Sequence, residues 1–270
     1  MPELPEVETV RRQLEPRLTG RRVTEAWSHP SPKFVPAREL VGKRLGAMGR
    51  RGKFLINPID GEHDIELIIH LGMTGQLLCV DQPPNIENQH LRAWWMLDNE
   101  TTLEFIDVRR FGRIRVVPSG DYDSIPTLAN AGPEPFDESF DAADFWQNLR
   151  RSRRPIKTQL LSQRPIAGVG NIYADEALWL AQINPKARRL GRQRADRLLT
   201  ALREVLEGGL ANGGTTLRDY RNADGNKGTN QHQLMVYGRS SRACYRCSAI
   251  LRSEQIDGRT TTWCPDCQGK

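Results

Sequence analysis

The spacing of apolar residues changes character twice along this chain. Near the start, Val7, Val10 and Leu14 recur at helical spacing, with Pro5 suited to a first helical turn, and they predict a short helix over residues 5–15. From Arg22 to Val117 the pattern shortens to apolar or alternating runs such as Lys53-Phe54-Leu55-Ile56, Ile65-Glu66-Leu67-Ile68-Ile69, Leu77-Leu78-Cys79-Val80, Leu103-Glu104-Phe105-Ile106 and Ile114-Arg115-Val116-Val117. Each has strand length, and Gly, Asn and Pro interrupt them, so this stretch predicts an antiparallel sandwich or barrel rather than βαβ units. The next stretch is rich in Pro, Gly, Ser and Asp without periodicity and reads as a linker over 119–136. Helical periodicity then returns over 140–149, 156–161 and 172–181, and in a segment that puts Ala195, Leu198, Leu199, Leu202, Val205 and Leu206 on one face.

These shifts divide the chain into a β domain over 1–118, the linker, a helical domain over 137–234 and a cysteine-bearing tail over 235–270, an α+β multidomain protein. With 270 residues, 38% of them hydrophobic, there is enough material for more than one core. No run approaches the ~18 uninterrupted apolar residues of a membrane span, and charges run through the first helix, so the expectation is a soluble cytoplasmic protein without a secretory signal. Nothing resembles a heptad or another dimerisation signal, and a monomer is expected.

Charge changes the picture next. The chain carries 39 Lys+Arg against 33 Asp+Glu, a formal net charge of +6, which favours a polyanionic partner. Basic residues crowd two stretches: Arg150, Arg151, Arg153, Arg154 and Lys157, then Lys186, Arg188, Arg189, Arg192, Arg194 and Arg197. Taken alone, each run reads first as a solvated helix face. In Ala167-Gly168-Val169-Gly170-Asn171, two glycines permit a tight turn that leaves backbone N–H groups uncovered at a helix start, either a phosphate cradle or an ordinary helix connection.

Two further features carry chemistry. Cys244-x₂-Cys247 and Cys264-x₂-Cys267, with sixteen residues between the pairs, have the number and spacing of a closed four-thiolate zinc site, with a hairpin turn predicted at Asp257-Gly258. Disulfides are the alternative, and a cytoplasmic setting disfavours them. The fifth cysteine, Cys79, falls in a predicted strand as a small apolar residue. At the other end, removal of Met1 from Met1-Pro2-Glu3 exposes a secondary amine beside a carboxylate. An α-amino group titrates near about 8, so part of it is unprotonated at neutral pH and able to attack an electrophilic carbon and form an iminium.

Six segments in order resemble the formamidopyrimidine-DNA glycosylase family over nearly the whole chain. They are Met1-Pro2-Glu3-Leu4-Pro5-Glu6-Val7-Glu8, Arg51-Gly52-Lys53-Phe54, His70-Leu71-Gly72-Met73-Thr74-Gly75, Asp107-Val108-Arg109-Arg110-Phe111-Gly112, the run from Gly168 to Leu178, and Val236-Tyr237-Gly238-Arg239. The related endonuclease VIII branch usually has Gly where this chain has Leu4. The resemblance implies an N-terminal β-sandwich with a terminal helix, a helix-two-turn-helix domain with a lesion-covering loop near 215–232, and a β-hairpin zinc finger. It also implies a bifunctional enzyme that removes oxidised purines, 8-oxoguanine and formamidopyrimidines, from double-stranded DNA and cuts the strand by successive β- and δ-elimination.

By the same resemblance Pro2 is the nucleophile at C1′, Glu3 the proton donor at the sugar, and Glu6 a supporting carboxylate. Lys53 and Arg259 are expected as proton donors for elimination or as phosphate contacts. His70, Asn171 and Lys157 are expected at the DNA backbone. Met73, Arg109 and Phe111 would fill the gap left by an extruded nucleotide, with Arg109 facing the orphaned cytosine. Cys244, Cys247, Cys264 and Cys267 would hold one structural Zn²⁺. Two positions depart from the family pattern: Gly228-Thr229-Asn230 stands where many members carry Gly-Tyr-Phe, and Val108 replaces a common proline. An oxidised-pyrimidine glycosylase and a non-catalytic damaged-DNA-binding protein are the competing readings.

Overall fold

The computed structural model describes residues 1–60 and 64–269, so the final residue of the expected finger and three residues inside the expected β domain lie outside the described residues. The first helix, α1 (Leu4–Leu18), begins one residue after Glu3 and carries Pro5 in its first turn, where a missing N–H costs nothing. Its inward side chains Leu4, Val7, Val10, Leu14 and Leu18 are all fully buried, each contributing about 1.5–3 kcal/mol of transfer free energy.

Nine strands follow among the described residues: β1 (Val23–Ser28), β2 (Arg44–Leu45), β3 (Gly49–Arg51), β4 (Phe54–Asp60), β5 (Ile65–His70), β6 (Gly75–Val80), β7 (Leu91–Leu97), β8 (Thr102–Asp107) and β9 (Arg113–Pro118). They form two antiparallel sheets, one in the order β1-β7-β8-β6 and the other in the order β2-β4-β5-β9 with β3 paired to β4. Side chains from both sheets and from α1 share one core that includes Leu67, Leu77, Trp95, Phe105 and Ile114. The alternation in β6, buried at Gly75, Leu77 and Cys79, is the period-two pattern of a strand with one face inward. The expected sandwich with a terminal helix is therefore present.

The first half of the expected linker is not a bare tether. It contains a one-turn helix, α2 (Pro126–Ala129), whose Leu128 packs with Phe54, Ile68 and Val117 while Tyr122 and Ile125 flank them. Tyr122 donates its hydroxyl to Glu66 at 2.8 Å, which fixes the segment against the outer face of β5.

The helices that follow are α3 (Ala142–Arg150), α4 (Ile156–Leu161), α5 (Asn171–Leu180) and α6 (Arg192–Ala211), and then comes a hairpin of β10 (Arg252–Ile256) and β11 (Arg259–Trp263). Asp141 caps α3, accepting from the backbone N–H groups of Ala143 and Asp144 at 2.8 and 2.9 Å. The hairpin turns at Asp257 and Gly258, both at positive φ (46° and 73°), the mirror-image turn that an Asp-Gly pair favours.

The chain forms two compact units, Met1–Ala129 with Leu210–Gln231, and Asn130–Gly209 with His232–Lys270. The segment that sequence spacing grouped with the helices thus packs with the sandwich. The physical reason is local: Tyr220 and Ala223 enter the sandwich core, and Cys79 of β6 donates its backbone N–H to the Ala223 carbonyl at 3.0 Å.

Candidate active site

In the first unit the terminus is held rather than loose. Pro2 is buried, Glu3 is only 1% exposed, and the Glu6 carboxylate, also 1% exposed, accepts from two backbone N–H groups. One is Glu3, at 2.8 Å to Oε2, and the other is Thr215, at 2.6 Å to Oε1. The first bond is the reach-back of an N3 glutamate to the residue before the helix. The second ties the terminus to the segment expected to cover a base. Gly214 lies against Glu6 at φ +88°, and a Cβ there would meet the Glu6 side chain at 2.9 Å, so glycine is required for this approach. The segment is closed by its own bonds: Asn230 Nδ2 donates to Thr215 Oγ1 at 2.9 Å, Gly228 N to Thr216 Oγ1 at 3.0 Å, and Gln231 Nε2 to the Gly228 carbonyl at 2.9 Å. Thr229, in the departure from the family pattern, bonds the Asn212 carbonyl through both its N–H (2.9 Å) and its hydroxyl (3.2 Å).

One helical turn on, Glu8 accepts from Arg11, Arg12 and Arg50 at 2.8–3.0 Å. Burial works against its charge, but the three guanidinium groups outweigh it and bring Glu8 down to about 2. Arg50 also donates to the Gly52 carbonyl at 2.9 Å, so the same carboxylate orients the turn that leads into Lys53. Strand register then puts the remaining expected residues of this unit at one end of a sheet. Phe54 pairs with His70, and His70 with Arg113, so Lys53, His70, the 71–74 turn and the 108–112 loop all lie at that end. Half-buried His70 stacks against Phe54 with ring centroids 4.6 Å apart. Its burial, reinforced by the positive charges of Lys53 and Arg113, lowers its pKa to about 4, so at neutral pH it presents a neutral imidazole.

Met73, Arg109 and Phe111 sit on two neighbouring loops that share one fully buried carboxylate, Asp107. Asp107 accepts from the Thr74 hydroxyl, from Arg109 N at 3.2 Å and from Gly112 N at 2.7 Å, and Arg109 N also reaches Thr74 Oγ1 at 3.1 Å. A Cβ on Gly72 would lie 2.5 Å from the backbone of Phe111 and Gly112, so the loops touch through glycine. Phe111 is 45% exposed and Arg109 stacks over its ring at 4.7 Å, while Met73 is half-buried, leaving an exposed aromatic and cationic tip above a buried acidic anchor.

The second unit holds the other expected residues. Gly168 (φ +82°) and Gly170 frame the turn before α5, and Gln163 spans it, accepting from Gly168 N at 2.8 Å and donating to the Val169 carbonyl at 2.5 Å. Asn171, first in α5, donates to the Thr260 carbonyl at 3.1 Å. Lys157 departs from expectation. It is completely buried, and its ammonium pairs with Asp175 at 2.6 Å and donates to the Thr260 carbonyl (3.0 Å) and Thr261 Oγ1 (2.9 Å). A group so enclosed is not a surface phosphate contact; it docks the hairpin onto α4 and α5. Asp175 completes the dock by accepting from Thr262 N at 3.0 Å, while burial pushes its carboxyl up and Lys157 opposes that push. Glu176 receives Met235, Val236 and Tyr237 N–H groups at 2.8–2.9 Å, anchoring the approach to the cysteines. Arg259 remains exposed at the start of β11.

The four cysteine sulfurs lie within 4.8 Å of one another, with Cys244 and Cys267 at 4.0 Å and Cys247 and Cys264 at 3.4 Å. Thiolates about 2.3 Å from one tetrahedral ion have sulfurs about 3.8 Å apart, so the set fits a single metal ion. Trp179 Nε1 donates to Cys244 Sγ at 3.3 Å, a bond that favours the thiolate. Cys79 is buried in the core of the sandwich and is not one of the clustered cysteines.

Asp107, Thr74, Glu8, Gln163, Asp175 and Glu176 have no assigned part in the sequence reading. A signal exists for the acidic pair in α5: Asp175 and Glu176 interrupt an otherwise apolar helix, and acids there are buried only when partnered.

A terminal proline and glutamate on a helix, a sandwich edge with a wedge-like loop pair, a glycine-turn helical unit and a four-cysteine hairpin define a class of nucleic-acid-processing enzyme. Residues 1–114 match the family model for the formamidopyrimidine-DNA glycosylase N-terminal domain, and residues 131–221 match that for its H2TH domain. Formamidopyrimidine-DNA glycosylase of Thermus thermophilus is 43% identical, with 100% of this chain and 99% of that protein covered, and that of Deinococcus radiodurans is 41% identical, covering 99% and 97%. The crystal structure of the MutM (Fpg) protein from Thermus thermophilus superposes with a TM-score of 0.91 at 43% identity, over 100% of this chain and 99% of that one. A Lactococcus lactis Fpg mutant in complex with Fapy-dG containing DNA gives 0.88 at 37% identity, with 100% of both chains covered. The chain belongs to the formamidopyrimidine-DNA glycosylase family, base-excision-repair glycosylases with AP lyase activity. Among the described residues no helix is long and apolar enough to cross a membrane.

Proposed function

We propose that this enzyme binds double-stranded DNA as a monomer, extrudes an oxidised purine nucleotide and excises the base through a covalent intermediate on Pro2. The observation that carries the reading is the immobilised terminus: Glu6 links the Glu3 backbone to Thr215, so the residues bearing the amine and the segment expected over the base form one bonded unit. Once Met1 is removed, the Pro2 nitrogen attacks C1′, the glycosidic bond breaks and the base leaves with the bonding electrons. The proton of the attacking nitrogen passes to Glu3, which delivers it to the sugar ring oxygen as the ring opens; the freed nitrogen lone pair closes the iminium, and the departing base takes its proton from water. The positive nitrogen acidifies C2′–H, and loss of that proton expels the 3′ phosphate; a second elimination expels the 5′ phosphate. Lys53 and Arg259 serve these eliminations as proton donors or phosphate contacts, and His70 and Asn171 hold the backbone. Met73, Arg109 and Phe111 occupy the vacated stack, with Arg109 donating to the orphaned cytosine. One Zn²⁺ on Cys244, Cys247, Cys264 and Cys267 holds the finger and has no part in the bond-breaking steps. The net charge of +6 attracts the protein to nucleic acid, and the enzyme works in the cytoplasm.

Base release from duplexes containing 8-oxoguanine opposite cytosine, compared with 5-hydroxycytosine duplexes, tests the substrate. Faster release of 8-oxoguanine is expected; preferential release of the oxidised pyrimidine would move the enzyme to the endonuclease VIII side, and binding without release of either would make it non-catalytic.

A further inference from the structure

The two basic runs, separated in the sequence by α5 and its flanking turns, meet in the second unit. Arg150 and Arg153 from the end of α3 and the turn beyond it, and Arg188 and Arg189 from the loop before α6, line a cavity of about 230 Å³ with Trp146, Leu149 and Leu190. Trp146 is fixed by its Nε1 bond to the Leu190 carbonyl at 2.9 Å, and its ring carries two guanidinium groups, Arg150 and Arg192, each 4.7 Å from the centroid. Arg188 donates to the Arg153 carbonyl at 3.5 Å, joining the two runs. Among the described residues none of these five arginines forms an ion pair, whereas neighbouring Arg154 pairs with Asp257 at 3.1 Å and Lys186 with Glu254 at 2.5 Å. The C-terminus of α3 offsets part of one positive charge. Asp257 acts on Arg188 and offsets part of another, and the four lining guanidinium groups keep an excess of positive charge.

A concave site that gathers four guanidinium groups outside any ion pair, with Asp257 acting on Arg188 alone among them, and that pre-orients Arg150 on an aromatic ring, is built for a planar or tetrahedral oxyanion. Its volume lies below the roughly 300–1,000 Å³ of small-molecule sites, which suits a single anionic group on a larger molecule. Arg153 adjoins Arg154, whose partner Asp257 sits in the turn of the hairpin that bears Arg259, so the cavity is bonded to the element expected to meet DNA. We propose that this cavity is a phosphate pocket that takes a phosphodiester group of a DNA strand. This rests on the DNA-processing reading above and adds to it a discrete anchoring site within the second unit.

The test uses the full-length protein and the double variant Arg153→Gln/Arg189→Gln, both exposed positions, with melting curves checking the fold. Affinity for an undamaged duplex is measured by fluorescence anisotropy across a salt series. Loss of one neutralised phosphate is expected to reduce the slope of log K against log salt by about one and to weaken binding several-fold at physiological salt. An unchanged slope and affinity overturns the proposal. So does a pocket that takes inorganic phosphate or an acidic peptide, read as a fluorescence change lost in Trp146→Phe, while the DNA slope stays at the wild-type value. If the wild-type protein neither binds duplex DNA nor releases 8-oxoguanine, the functional reading itself has failed; if it does both and only the slope is unmoved, the pocket alone is wrong.

Discussion

Replacing Asp107 with alanine removes a carboxylate shared by the loops that carry Met73, Arg109 and Phe111. Two buried donors lose their acceptor, Gly112 N at 2.7 Å and the Thr74 hydroxyl; Arg109 N keeps its second acceptor, Thr74 Oγ1 at 3.1 Å. An unsatisfied buried donor costs about 1–3 kcal/mol, so Asp107→Ala should destabilise the first unit by about 2–6 kcal/mol, less whatever water entering the site restores. For a unit of this size that corresponds to a fall in melting temperature of roughly 5–20 °C. Asp107→Asn keeps one acceptor oxygen and should lose about half as much. The assay is thermal unfolding followed by circular dichroism, together with 8-oxoguanine release opposite cytosine and opposite adenine. Both variants should lose opposite-base discrimination more than they lose strand cleavage at a pre-formed abasic site, because Arg109 is what the carboxylate orients. An Asp107→Ala protein with wild-type melting and unchanged discrimination would refute the reasoning.

Other outcomes follow from the same contacts. His70 has a folded value depressed to about 4, so protonation favours the unfolded chain: its stabilising contribution is complete above its ordinary value of 6.5 and is lost as pH falls from there toward 4. An NMR pH titration should find its imidazole neutral from pH 6 to 8, and a midpoint near 6.5 would contradict the burial argument. Metal analysis should give one zinc per chain, and chelation should expose four reactive thiols and weaken DNA binding while Cys79 stays protected. Glu6→Gln leaves one of its two backbone donors facing an amide NH2 with no acceptor and the other facing a neutral oxygen; single-turnover base release should slow by about ten-fold or more with less effect on affinity for undamaged duplex, and equal losses in both would make Glu6 merely structural.

Much of the fold is legible in the chain because it depends on period. The Val7, Val10, Leu14 spacing and the alternation through β6 report directly which side chains face the core, and the Cys-x₂-Cys pairs with Asp257-Gly258 between them encode a hairpin by local geometry alone. What period cannot report is the partner of a buried charge. Lys157 reads as one more cation in a basic run, yet Asp175, eighteen residues on, lies 2.6 Å away. Asp107 is visible inside its motif as a neighbour of Arg109, but it also holds Thr74, which precedes it by thirty-three residues. The contact between Glu6 and Thr215 spans more than two hundred residues, and the segment around Thr215 carries no periodicity that would assign it to the sandwich. Side chains that act through long-range hydrogen bonds to backbone leave almost no trace in local pattern.

Every later step of the proposed chemistry depends on the Pro2 nitrogen becoming covalently bound to the damaged nucleotide. Incubating the protein, shown by intact mass to lack Met1, with an 8-oxoguanine:cytosine duplex in the presence of borohydride tests this most directly. The expected product is a reduced protein–DNA adduct whose proteolysis maps the linkage to the peptide beginning at Pro2. Base release by Met1-free protein with no trapped adduct, or an adduct that maps to Lys53, would contradict it.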